Sequence, residues 1–112
     1  TDAIKEKLIP EELTKAQTNI IYASEADVLN MALFGMTSQK WHDNNPEKKG
    51  NIRDYADISQ LICLSNLENL NALFVSERLQ QEERLLKLNR IAIQQMKLLA
   101  DDRTVKKFGI KK

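Results

Sequence analysis

Very little in this sequence punctuates the chain or staples it. Its 112 residues include three glycines, two prolines and one cysteine. A single thiol, Cys63, closes no intramolecular disulfide, so packing and hydrogen bonds must hold the fold, and a reducing, cytoplasmic setting is expected. Aromatic residues make up 5%, which leaves the core to Leu, Ile, Ala and Met. Neither sign of charge dominates. The 17 Lys and Arg nearly balance the 16 Asp and Glu, so no global field draws the chain to nucleic acid or to an anionic membrane. No apolar run approaches the ~18 residues of a membrane span, and no basic segment leads into a signal-peptide core. The glycines stand alone at 35, 50 and 109, and isolated glycines build no phosphate cradle. His42 is the only histidine, so there is no HExxH and no His/Cys cluster at metal spacing. No cofactor, metal or small-molecule substrate is expected.

What is present is helical patterning. One compact domain over residues 1–100 fits the length, with 42% hydrophobic and 29% charged residues. "DAIKEKLI" before Pro10 reads as a short helix or the tail of a longer one. "TKAQ" (14–17) is a capping box opening another, with "NIIY" (19–22) expected to pack inward. Ser24 caps a helix over about 25–34 whose apolar face is Val28, Met31, Ala32 and Leu33, and Gly35 ends it. Thr37 caps a helix of about two turns through "SQKWHD". The break "NNPEKKGN" follows, where Asn before Pro prefers an extended backbone and Gly50 permits a turn. Residues 44–56 are thus a connector, with Trp41 anchoring the helix before it and Tyr55 packing at the start of the helix after it.

Beyond the connector the periodicity lengthens. Asp57 caps a helix carrying the stripe Cys63, Leu67, Leu70 and Phe74. Ile58, Leu61, Ile62, Leu64 and Leu73 widen that stripe to an expected burial of more than half the circumference. A polar break at 76–81 precedes a second stripe of Leu85, Leu88, Ala92, Met96 and Leu99, with Glu82 and Glu83 placed well for the helix dipole and Asp101-Asp102 as its terminator. The fold class that follows is all-α: two or three short helices within 2–43 packed on a long antiparallel hairpin over 57–100, then a basic tail at 101–112. Asn66, Asn69, Asn71, Asn89, Gln94 and Gln95 lie among the leucines. They serve either cross-helix hydrogen bonds or a polar contact surface.

Candidate chemistry is thin. His42 with Cys63 or Ser65 is the only nucleophile and base pairing that can be written, and a solvent-facing His with a Cys acting as a small hydrophobe is the simpler reading. Adjacent carboxylates on a helix point apart, which removes acid–base work from Glu82-Glu83 and Asp101-Asp102. Lys48, Lys49 and Arg53 in the connector and Lys106 and Lys107 in the tail are the residues through which nucleic-acid phosphates could be met. Leu64, Leu73, Val75 and Ile93 fall off the main stripes and are the expected surface for self-association or a partner.

The blocks "ASEADVLNMALFGMT" (23–37), "KKGNIRDYA" (48–56) and "LICLSNLENLN" (61–71), within a likeness running from Thr1 to about Leu99, resemble the segment that follows the KilA-N domain in bacterial, Bacteroidetes-type KilA-N domain proteins. The resemblance implies a C-terminal helical domain of a phage- or mobile-element-associated DNA-binding protein. DNA would be held chiefly by the KilA-N domain, which these 112 residues do not contain. No binding residues of that segment carry over. Beginning at Thr1 in helix-like sequence, the chain is expected to be a piece of such a protein, and a homodimer is one expected state.

Overall fold

The computed structural model describes residue 4 and residues 7–107, with side chains through residue 100. It is an all-helical protein, without strands among the described residues: short helices packed on a long antiparallel hairpin. The short helices are α1 (Lys15–Asn19), α2 (Glu25–Phe34) and α3 (Ser38–Asn44). A 3₁₀ turn (Ile52–Tyr55) leads into the hairpin of α4 (Ile58–Ser76) and α5 (Gln81–Lys107). The short helix read in "DAIKEKLI" lies mostly outside the described residues; Ile4 is helical. α5 keeps its helical backbone through Asp101-Asp102, the pair read from sequence as its terminator.

The starts of α1 to α4 are each fixed by a side chain that answers an orphan backbone N–H. Thr14 Oγ1 accepts from the Gln17 N–H at 3.1 Å while Gln17 Oε1 accepts from the Thr14 N–H at 2.8 Å. At α2 and α3 the Ser24 and Thr37 hydroxyls accept from the amides of Asp27 and Lys40. Asp57 and Gln60 form the reciprocal pair at α4. Gln60 is itself buried, and its amide donates onward to the Ile4 carbonyl at 2.7 Å, so this cap also holds the N-terminal segment. Gly35 ends α2 at φ +73, a left-handed conformation that glycine takes without a Cβ penalty.

The core lies where α2 crosses both arms of the hairpin. Val28, Ala32 and Leu33 of α2 meet Cys63, Leu64 and Leu67 of α4 and Leu85, Leu88, Ala92 and Met96 of α5. Polar pins set the crossing. Arg84 Nη1 and Nη2 donate to the two Glu25 carboxylate oxygens at 2.7 and 3.2 Å, and Asn71 Nδ2 donates to Glu25 Oε1 at 2.8 Å. Further along, Asn89 Nδ2 donates to the carbonyls of Ala32 (3.0 Å) and Glu11 (3.2 Å), and its Oδ1 accepts from the Leu13 N–H at 3.1 Å. With 25 at 84 and 32 at 89, α2 runs in the direction of α5 and against α4. Gln81 adds a third pin, pairing with both backbone groups of Tyr22.

Coverage differs from the sequence reading in two places. Ile20 and Ile21, expected inside, stand out into solvent at 52% and 89% exposure; only Tyr22 of "NIIY" reaches the core. Ile20 follows α1 in extended backbone, and Ile21, the immediate neighbour of the inward-facing Tyr22, is turned furthest out. On α4, Ile58, Leu61, Ile62, Leu73 and Val75 are exposed, so less than half its circumference is buried. Among the described helices only α2 and α5 pack on α4 to any extent. Since Glu25 at the start of α2 sits against Asn71, α4 residues beyond that level have nothing from α2 to cover them.

The hairpin turn closes with a paired C-cap. The Leu79 N–H donates to the Phe74 carbonyl and the Arg78 N–H to the Val75 carbonyl, with Arg78 at φ +65. An exposed Arg held there carries the left-handed penalty that Gly escapes. Arg78→Gly is expected to stabilise the protein by about 0.5–1 kcal/mol, net of glycine's greater unfolded-state entropy; urea denaturation measures it, and a loss of stability contradicts the strain. Asn89→Leu is expected to cost about 1–3 kcal/mol by stranding its buried partners. In hydrogen exchange the Leu13 amide should lose protection while α4 keeps it.

Candidate interaction surface

The connector is a packed aromatic joint. Trp41, 3% exposed, forms a second small core with Ile4 and Ile52, bordered by Phe34, Met36, Tyr55 and Ala56. Phe34 also borders the main core and so couples the two. The Tyr55 ring lies tilted on Trp41 at 5.0 Å, and its hydroxyl donates to the Lys49 carbonyl at 2.8 Å. Tyr55 thus packs on Trp41. The half-buried His42 meets Trp41 edge-on at 5.2 Å. A methyl at Gly50, which has φ +87, would strike the Asp54 carboxylate, the group that accepts from the Asn51 N–H to cap the 3₁₀ turn.

These contacts occupy much of the basic cluster. Arg53, half-buried, pairs with Glu68 of α4 at 3.1 Å. Lys48 places its Nζ 5.1 Å above the Tyr55 ring. Lys49 is exposed. The backbone at Lys106 and Lys107 belongs to α5, and their side chains lie outside the described residues. The structure therefore does not gather Lys48, Lys49 and Arg53 into one free cationic patch.

The apolar candidates divide. Leu64 is 3% exposed, seated against the core under α2, so it offers nothing to a partner; the sequence reading of it as surface is corrected here. Leu73 and Val75 are exposed, lying past the start of α2. Ile93 is half-buried beside a shallow depression of about 190 Å³ that it shares with Leu86, Asn89 and Arg90. A second hollow of about 290 Å³ lies between Ile4, Pro10, Phe34, Met36 and Gln60. The sequence reading missed Ile58, Leu61, Ile62 and Leu98 as surface, at 66%, 36%, 46% and 68% exposure. Asn66 Nδ2 donates to Gln95 Oε1 at 3.1 Å, and this bond fixes the level of the two antiparallel arms. Ile62, one turn before Asn66, therefore stands level with the turn of α5 that carries Leu98. The signal for this surface was the composition of α4, which carries a single charge, Glu68, in 19 residues.

Among the described residues no group of three or more His, Cys, Asp or Glu side chains could hold a metal ion. No helix among them is long and apolar enough to cross a membrane. Against known protein families, curated proteins and solved structures, the chain finds no match.

Cys63 lies in the core, and burial pushes its thiol up from 9.0 to about 11. A raised acid pKa means that the unfolded chain releases its proton first. The thiol's contribution is thus complete below pH 9 and is lost as pH rises toward 11. Stability measured by urea denaturation is expected to fall across that window, and the fall to be smaller in Cys63→Ala, where Tyr22, raised by its burial and by Asp27, still titrates. Native Cys63 should resist a thiol reagent at pH 8 until denaturant is added; prompt native labelling contradicts this placement.

Proposed function

We propose that this chain is a non-catalytic interaction domain that works by self-association or partner docking within a longer, phage- or mobile-element-associated DNA-binding protein of the KilA-N type. One observation carries the interaction part. Ile58, Leu61, Ile62, Leu73 and Val75 stand exposed on a single helix whose only charge is tied to Arg53. Apolar residues scattered singly over a surface are ordinary, whereas a row of them on one charge-poor helix is a mark of protein contact. The buried thiol and the edge-packed His42 are in keeping with a non-catalytic reading, since neither is arranged as a nucleophile beside its base. The DNA-binding part rests on the resemblance of the three sequence blocks alone.

Direct nucleic-acid contact through residues 40–53 or the basic tail is the second reading. Exposed Lys49 favours it, while Arg53 would have to leave Glu68 to reach a phosphate.

Light scattering across a concentration series separates the two. A mass that rises to twice the 12.9 kDa chain is expected under self-association. A monomer that binds duplex DNA with affinity falling steeply as salt rises would replace the first reading by the second.

A further inference from the structure

The exposed face of α4 has a spacing of its own. Ile58, Ile62, Ser65, Asn69, Ala72 and Ser76 recur at intervals of four, three, four, three and four, the alternation that keeps one seam of a helix facing another helix, and all six are exposed. Glu68, at the edge of this seam, is paired with Arg53, and Asn66, at the other edge, is bonded to Gln95, so neither rim group projects an uncompensated charge into it. The seam is also graded: its N-terminal third is large and apolar, its middle polar, its C-terminal third small.

That grading is its own complement when the helix is reversed. An antiparallel copy turned about an axis at the level of Leu67 sets Ile58 against Ser76, Ile62 against Ala72 and Ser65 against Asn69, and brings Leu61 to the level of Leu73. Large residues then meet small ones, the Ser65 hydroxyl meets the Asn69 carboxamide, and Ser76, facing Ile58, keeps its hydroxyl on the Leu73 carbonyl of its own helix at 2.7 Å. A parallel copy would set Ile on Ile at one end and leave Ser and Ala facing each other across a gap at the other. Nineteen residues of α-helix, about 28 Å long, bury on the order of 1,000 Å² over both partners, near the lower limit for a specific interface. We infer that the occupant of this face is a second copy of the chain, docked through α4 in antiparallel, two-fold fashion. The inference rests on the self-association reading and names its surface. The consequence is a dimer whose two-fold axis lies at the level of Leu67 but on the far side of α4 from that buried side chain, with the α4 helices at its centre and α2 on the outer sides.

Variants with one added cysteine test it, because the native Cys63 is buried and stays silent under mild oxidation. Ile62→Cys and Ala72→Cys are each prepared, then mixed in the reduced state and oxidised. The cross-link should form in the mixture and not in either variant alone. Ile62→Glu, at a position already open to solvent, should raise the dimer dissociation constant about tenfold or more while leaving the helical circular dichroism unchanged. A dimer mass with no cross-link in the mixture, or with cross-links in the single variants, overturns the antiparallel seam and leaves self-association standing. A wild-type mass that stays at one chain throughout overturns both.

Discussion

Arg84 is where four parts of this chain are held together. Its guanidinium, nearly closed off from water, donates to both oxygens of Glu25, to Asn71 Oδ1 at 3.3 Å and, through Nε, to the Leu79 carbonyl at 3.2 Å. The start of α2, the last turns of α4, the hairpin turn and the first turn of α5 therefore share one side chain. With Arg84 buried and Glu25 half open to water, the pair adds little net stability, but removing Glu25 leaves the guanidinium buried with only neutral partners. Its effect is on geometry. A leucine core tolerates sliding by one helical turn; a fork that must meet two carboxylate oxygens at once does not. Asn89, seven residues of α2 and five of α5 further on, supplies the second fixed point. Two fixed points define a line, and α2 has no freedom left to swing.

How much of this could be read from sequence follows from what decides each feature. Caps are local: Thr14 with Gln17, Asp57 with Gln60 and Gly35 after Phe34 act within one turn, so their spacing in the chain is their spacing in space. The two stripes of the hairpin were legible for the same reason. Coverage is not local. Whether Leu64 or Leu73 is inside depends on where α2 ends over α4, and that is set by Glu25 meeting Asn71 across 46 positions of sequence. The same distance hides the candidate surface. The stripe has apolar residues on two sides of α4 and reads as a deeply buried helix, whereas among the described helices only α2 and α5 pack on it to any extent. The polar residues among the leucines were legible as cross-helix ties in kind, and Asn66, Asn71 and Asn89 act so. Their partners were not legible, because an Asn reveals nothing of which carbonyl it will reach.

The connector shows the opposite balance between composition and position. It is rich in charge and polar residues, as an exposed loop would be, yet it is tied at Trp41, Tyr55, Asn51 and Arg53. The Arg53 to Glu68 pair then fastens it to the flank of α4. The joint and the exposed helix face are consequently neighbours, and a change at one is felt as a change in the position or charge of the other.

The pins from α5 also impose an order on folding. Of the described elements α5 is the last to be synthesised, yet it supplies Leu85, Leu88, Ala92 and Met96 to the core and Gln81, Arg84 and Asn89 to the three polar ties. Earlier helices can form their caps as they leave the ribosome, since each cap is complete within its own turn. They cannot close a core. Until α5 emerges, the apolar face of α2 and the inner stripe of α4 have only each other, and Glu25 has no guanidinium to receive. The chain therefore spends most of its synthesis as capped but undocked helices, with the same leucines that later hold it together open to any chaperone or neighbouring nascent chain.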